Sequence, residues 1–248
     1  MEREFYLTMQ RYEDHHWWTV SRRAIIKGVL NHYFNCSNFE RILEIGCGSG
    51  GNLGLFSAYG DVYAIEPDDE ARKIAQGRQL AKVRKGSLPN DIPFECDFDL
   101  ICLLDVLEHV DDDLLALRSI NNKLRPGGKV LVTVPAYQFL WSGIDVAAHH
   151  KRRYMLGQLM RVMQEAEFKL LYSTYFSMFL FPIIGGIKYL NKILAKKPGP
   201  SDVGILPSFI NTSLIYIFSS ERFLIPKISL PFGASIMIVA QKRGERTS

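Results

Sequence analysis

Between positions 41 and 134, short unbroken apolar runs alternate with stretches whose apolar residues recur every three or four positions. The runs near 41–45, 61–65, 98–104 and 129–134, with a weaker one at 81–85, read as strands, and their continuous apolar character fits strands covered on both faces. Between them, 51–59 and 70–78 have helical spacing. The stretch 111–124 has it more plainly: Asp111, Asp112 and Asp113 complement the positive end of a helix dipole, Leu114, Leu117 and Ile120 share one face, and Pro126-Gly127-Gly128 ends it. Strand and helix in alternation predict a parallel sheet flanked by helices. Ahead of this core, Ile25, Ile26, Val29 and Leu30 give 21–34 one apolar side and predict a helix that caps the sheet. After it, 155–166 reads as a helix, 169–175 as a strand and 235–241 as a final strand, bringing the sheet to seven.

The stretch 176–230 breaks this rhythm. An uncharged run from Leu170 to Ile187 leads to Lys188, Lys192, Lys196 and Lys197 and then to Pro198-Gly199-Pro200. The run only touches the lower length limit of a membrane span, and Tyr172, Ser173, Thr174, Tyr175 and Ser177 dilute it. A second apolar segment, 205–217, precedes Glu221 and Arg222. Together they predict an apolar helical insertion before the last strand: a hairpin lying on a bilayer, a cover over a greasy substrate, a lid packed on the core, or a subunit interface. The lysines beside it suit anionic headgroups, so peripheral membrane contact is assigned to 170–225. The chain thus divides into an N-terminal helical cap (1–38), a core (39–175), the insertion or lid (176–230) and a last strand with its tail (231–248).

Length and charge narrow this little. The 248 residues suffice for one core and an insertion, and 30 Lys and Arg against 26 Asp and Glu leave a net +4 that neither demands nor excludes nucleic acid. No RNA-binding module accompanies Lys151-Arg152-Arg153, so a nucleic-acid partner is not expected. Cys36, Cys47, Cys96 and Cys102 form no CxxC pair and have no histidine at zinc spacing, so they read as reduced packing residues, and no metal is expected. The polar start Met1-Glu2-Arg3-Glu4-Phe5 has no signal-peptide core, which points to the cytoplasm, with the insertion allowing contact with the inner face of a membrane.

The candidate chemistry begins at Gly46-Cys47-Gly48-Ser49-Gly50-Gly51, which satisfies both GxGxG and GxGxxG. Glycines after a first strand let the backbone approach a ligand, and the next helix offers free N–H groups. Glu44, two residues earlier, would crowd a pyrophosphate but can receive an ammonium group. Glu66, at the end of the second strand, can accept both hydroxyls of a ribose, which any adenosine cofactor offers.

Three motifs in order then resemble the class I, Rossmann-like S-adenosylmethionine-dependent methyltransferases, in particular a type 11/12-like branch. They are Leu43 to Gly50, Asp105-Val106-Leu107-Glu108-His109-Val110 after the fourth strand, and Leu124 to Lys129 before the fifth. The resemblance implies that the donor's methionine end lies near Glu44, Gly46, Gly48 and Gly50, its ribose on Glu66, and its adenine near Ser87 and Leu88, with Leu104 and Asp105 closing the pocket. Ser87-Leu88 stands where relatives often carry Asp-Ala, so the adenine contact falls to the Ser87 hydroxyl or a backbone amide. His109 is taken as structural. Glu13 to Arg23 resembles a segment ahead of the core in the same branch. There Trp18 could stack over the sulfonium and Arg23, in preference to Arg22, could pair with the donor carboxylate, or the aromatics could simply pack on the sheet edge.

The stretch His149 to Tyr154 resembles the HxRRY segment of that branch. It makes His150 a candidate base for an acceptor hydroxyl, with Arg153 and Tyr154 beside it, or else part of a structural cluster with Asp145. The implied function is methyl transfer from S-adenosylmethionine, leaving S-adenosylhomocysteine, to an oxygen of a small, sugar-containing or lipid-like acceptor, without metal. The alternatives are a non-catalytic donor-binding partner subunit and a nicotinamide-dependent oxidoreductase. Oligomeric state is not legible.

Overall fold

The computed structural model describes residues 13–34, 39–183, 185–186 and 206–243. At its centre is one sheet of β1 (Phe39–Ile45), β2 (Gly60–Ile65), β3 (Lys82–Arg84), β4 (Phe98–Leu104), β5 (Leu124–Pro135), β6 (Phe168–Phe176) and β7 (Ser235–Lys242), in the order β3-β2-β1-β4-β5-β7-β6. β7 runs antiparallel to both its neighbours, and the other pairs are parallel. This is the seven-stranded, mostly parallel α/β sheet expected, of Rossmann-like class. The unbroken apolar runs have the expected cause. In β4, Leu100, Cys102 and Leu104 face one hydrophobic layer while Ile101 and Leu103 face the other, so both sides of the strand need apolar side chains.

Helix α1 (Trp17–Tyr33) caps one face of the sheet through Ile25, Ile26, Val29 and Leu30, all fully buried. It starts earlier than its apolar spacing predicts because His16 caps it, its side chain accepting from the Trp18 backbone N–H. On the same face sits α2 (Leu53–Phe56), shorter than the 51–59 predicted. Gly54 and Ser57 are poor helix formers, and β2 begins at Gly60, leaving no room for a further turn. Helix α3 (Asp69–Gly77) is capped by Asp68, which accepts from the backbone of Glu70 and Ala71. On the opposite face lie α4 (Asp113–Lys123) and α6 (Leu156–Glu165), and a short α5 (Gly143–Ala147) precedes α6. Helix α4 ends at Lys123, before the Pro126-Gly127-Gly128 expected to stop it, and β5 begins at Leu124: pairing jumps from Phe98 with Leu124 to Leu100 with Lys129, and the Pro-Gly-Gly turn bulges out between.

The start of the uncharged run, Leu170 to Phe176, is strand β6, and no described helix is long and apolar enough to cross a membrane. Helix α7 (Ser208–Ser219) supplies the helical insertion before the last strand. It packs on α1: Asn211 Oδ1 accepts from the Trp17 N–H at 2.9 Å, and the Phe218 ring lies 5.1 Å from that of Trp18. Buried Glu221 accepts from the N–H groups of Ser177 (2.7 Å) and Phe179 (2.9 Å), tying the end of β6 to the turn after α7. Cys36, Lys188, Lys192, Lys196, Lys197 and the Pro198-Gly199-Pro200 break lie outside the described residues.

Candidate active site

Strand order reverses between β1 and β4, the place where ligand crevices form at the carboxyl ends of an open α/β sheet. A cleft of about 1030 Å³ opens there. Gly46 and Gly48 both have positive φ, +69° and +55°. At Gly46 a Cβ would stand 2.8 Å from the Val106 side chain, whereas at Gly48 it would meet nothing within 4 Å, so the loop is tight on its inner side and open toward the cleft. Gly50 belongs to the same loop but lies off the cleft wall.

Glu44 is buried at the end of β1 and is not among the residues that line the cleft. Asn52 donates to its Oε1 at 2.9 Å, while Oε2 has no partner. Burial pushes its pKa up to about 8, against the pull of the Asn52 hydrogen bond and of Arg22. Glu66, on the cleft wall, accepts from the backbone N–H groups of Gly48 (2.8 Å) and Asp68 (3.0 Å). Burial raises its pKa too, and those two bonds oppose the rise. Ser87 and Leu88 line the far end. The Ser87 N–H is already committed to the Asp91 carbonyl at 2.9 Å, so an adenine contact at Ser87 itself falls to its hydroxyl.

Asp105 sits on the wall in a left-handed conformation, φ +59°, with Leu104 buried behind it. Arg22 meets it at 2.9 Å and donates to Thr133 Oγ1 at 2.8 Å, and Thr133 in turn donates to Asp105 at 3.1 Å. Arg23 points elsewhere: it donates to the backbone carbonyls of Glu13 (2.8 Å) and Gly51 (3.3 Å), latching the N-terminal segment to the glycine loop. Glu13 reinforces that latch through Ser49 and Arg78. Trp18 does not line the cleft; it packs between Phe176 and Phe218. Arg22 lies three and four residues before Ile25 and Ile26 and so shares the buried face of α1, which turns it toward Asp105.

A second group gathers around the turn Leu107–His109. His150, which does not line the main cleft, has Nδ1 2.9 Å from Asp145 Oδ1, and Arg153 grips the same carboxylate at 2.7 and 2.9 Å. Burial alone would raise the Asp145 pKa, but the hydrogen bonds from His150 and Arg153 outweigh it and hold the carboxyl well below its usual range. The Tyr154 hydroxyl donates to Asp113 at 3.0 Å, and burial raises its pKa. Arg153 and Tyr154 face a separate cavity of about 430 Å³. His109 lines the main cleft, its ring centroid 4.8 Å from that of His150. Burial, with His150 adding to it, lowers the His109 pKa to about 4. Glu108 is completely buried, and burial with Asp105 nearby raises its pKa well above the ordinary value. The cluster of Asp145 with His150 and Arg153 was legible as a structural alternative, whereas Glu108 and Thr133 were not singled out as site residues by their spacing, since they reach the site from different elements.

The arrangement fits S-adenosylmethionine. An unpartnered buried carboxylate oxygen on Glu44 suits an ammonium, the space beyond Gly48 admits a ligand against the backbone, and Glu66 keeps lone pairs for ribose hydroxyls. Asp68, Asp69, Asp111 and Asp112 add to the negative field of the cleft, with Lys151 as the only Lys or Arg among its described lining residues.

A methyltransferase-domain family matches residues 17–173. The chain belongs to that family. Its fold is that of the S-adenosylmethionine-dependent methyltransferases of class I, which leaves the nicotinamide alternative without support. Among solved structures it is similar to a plantazolicin methyltransferase bound to S-adenosylhomocysteine (TM-score 0.61, 14% identity, 95% of this chain and 89% of that one). It is also similar to a possible histamine N-methyltransferase of Thermotoga maritima (TM-score 0.59, 19% identity, 96% and 98%). At these identities the likeness is one of fold. An O-methyltransferase of Aspergillus nomiae is 28% identical over 102 residues, 38% of this chain and 45% of that protein. The aligned part spans less than half the length of each curated relative matched.

Proposed function

We propose that the protein transfers a methyl group from S-adenosylmethionine to an oxygen of a small, sugar-containing or lipid-like acceptor, as the type 11/12-like segments imply. The observation that carries the donor half is the cleft wall, where the glycine loop opens at Gly48 beside Glu66, with the buried carboxyl of Glu44, one oxygen unpartnered, two residues before that loop. When bound, the donor supplies a methyl already activated on a sulfonium, so the protein's work is alignment and exclusion of water. The loop at Gly46 and Gly48, with Glu44 behind it, holds the amino-acid end, Glu66 the ribose, and Ser87 and Leu88 the adenine. Asp105, fixed by Arg22 and Thr133, closes the wall between donor and acceptor.

At the acceptor end, His150 takes the proton of the acceptor hydroxyl. Asp145 receives Nδ1–H and leaves Nε2 as the basic nitrogen, and Arg153 keeps Asp145 in place. Tyr154 anchors the segment through Asp113. The lipid-like character of the acceptor draws support from α7 and the turn after it, where Phe209 (71%), Tyr216 (73%) and Phe223 (63%) are exposed and Arg222 lies over the Phe223 ring. That surface lies within the segment 170–225 assigned to peripheral membrane contact on the cytoplasmic side.

Calorimetric titration of the purified chain with S-adenosylmethionine and S-adenosylhomocysteine tests the donor half. Micromolar binding that Glu66→Ala weakens by about tenfold or more, the scale of a lost charged hydrogen bond, supports it. No binding by a well-folded protein overturns it.

A further inference from the structure

Glu108 is sealed from solvent, and neither of its carboxylate oxygens makes a hydrogen bond to another residue. A carboxylate removed from water without donors is costly unless a proton or a cation answers it. What stands before it is a pair of imidazoles. His150 Nε2 lies 3.9 Å from Glu108 Oε1, and one ligand atom from each of Glu108, His109 and His150 falls within 4.8 Å of the other two. We propose that these three side chains bind a divalent first-row transition-metal ion at the acceptor end of the cleft.

Beyond proximity, the surroundings are those of a metal site. A metal-ligating histidine needs its second ring nitrogen engaged, which fixes the ring and strengthens the ligating nitrogen. His150 has this in Asp145, which is itself held by Arg153 and by the Ser142 N–H at 2.7 Å. His109 has it in a hydrogen bond with the His149 backbone. Two imidazoles and one carboxylate suit Zn²⁺, Co²⁺ or Fe²⁺, whereas Mg²⁺ and Ca²⁺ prefer oxygen alone. Bonds of about 2.0–2.2 Å in a tetrahedral shell place ligand atoms roughly 3.5 Å apart, so the trio closes by roughly 1 Å on loading. His109, only partly buried, has room to make that adjustment. Three protein ligands leave at least one position open, and His109 lines the cleft, so that position is reachable from the acceptor side.

The role of the ion, though not its binding, rests on the methyl-transfer reading. An acceptor hydroxyl oxygen in the open position loses its proton to water more readily, and that oxygen then attacks the methyl carbon. In the loaded protein the Nε2 lone pair of His150 is committed to the ion, which replaces His150 as the means of activating the hydroxyl. The site departs from the metal-free expectation because its ligands come from two segments some forty positions apart, a spacing no short metal motif contains.

The test is titration of the chelator-stripped full chain with Co²⁺, read by visible absorption and calorimetry without any methyl donor. The expected result is uptake of one equivalent, with the weak bands of nitrogen and oxygen ligation and no thiolate charge-transfer band, displaced by Zn²⁺ and not by Mg²⁺. Glu108→Gln and His150→Gln should each weaken binding at least tenfold. Asp145→Asn, acting through His150, should do so by roughly ten- to hundredfold. His109→Asn, at a partly exposed position, serves if a buried variant melts early. No stoichiometric uptake, a thiolate band, or affinity unchanged by these substitutions overturns the proposal. Because no donor is present, failure of the donor titration leaves this result standing, and the reverse also holds.

Discussion

The two ends of the cleft are built on opposite plans. At the donor end, Glu44, Gly46, Gly48 and Glu66 sit at the tips of adjacent strands β1 and β2, and the backbone itself makes most of the site. At the end proposed for the acceptor, His109 reaches the cleft wall while Glu108, Asp145, His150 and Arg153 converge behind it from a turn, a short helix and a loop, and side chains do most of the work. A site made of backbone tolerates drift in the side chains around it. One made of side chains depends on each orienting partner, so the donor end should be robust to single changes away from its carboxylates while the acceptor end is sensitive at several points.

The largest effect that would break this contrast is at Glu44. Glu44→Gln should weaken donor binding by about a hundredfold, the loss of a buried charged contact, measured by calorimetry. The same change should stabilise the free protein in alkaline solution. A carboxyl whose pKa rises from 4.5 to about 8 on folding favours the folded state fully only below 4.5, and that contribution is lost as pH climbs through 8. Thermal melts of variant and wild type should therefore converge near pH 4.5 and diverge above it, by up to a few kcal/mol.

Next in size, Asp145→Asn should lower turnover by roughly ten- to hundredfold while leaving donor affinity unchanged, because the partners it loosens, His150, Arg153 and Ser142, all lie away from the glycine loop and Glu66. Equal losses in both would erase the division between the two ends. Proton linkage sharpens the donor side further. At pH 7, binding an ammonium beside a largely protonated Glu44 should expel close to one proton, read from the buffer dependence of the binding enthalpy and absent in Glu44→Gln. The smallest effect separates neighbouring arginines. Arg22→Ala, which frees Asp105, should weaken donor binding by about tenfold, whereas Arg23→Ala, which only loosens the N-terminal latch, should change it by about threefold or less.

Legibility followed the same divide. The sheet, its order of strands and helices, and the glycine loop could be read because their signals are local: apolar runs for strands buried on two faces, and a cluster of glycines straight after the first strand, where Gly46 has no room for a side chain beside Val106. Arg22 could have been read from the helical phase it shares with Ile25. The partnership of Glu108 with His109 and His150 could not, because nothing in the spacing of 108 and 150 states that the loop after α5 folds back over the turn after β4. That fact resides in the Lys151 N–H donating to the Glu108 carbonyl at 2.9 Å, a contact made only in the finished fold.

The position of β7 between β5 and β6 has a consequence for how the molecule comes into being. During synthesis β6 emerges well ahead of β7, yet it has no place in the sheet until β7 has laid itself along β5. Until then the open edge of β5 and the apolar face of β6 are both exposed on the nascent chain, with the greasy stretch after Phe176 following them out of the ribosome. Such an interval invites strand pairing with the wrong partner. A chaperone's need for this protein should accordingly be set by the time taken to translate from Phe176 to Lys242, and slowing the ribosome over that stretch should lengthen its stay in the aggregation-prone state.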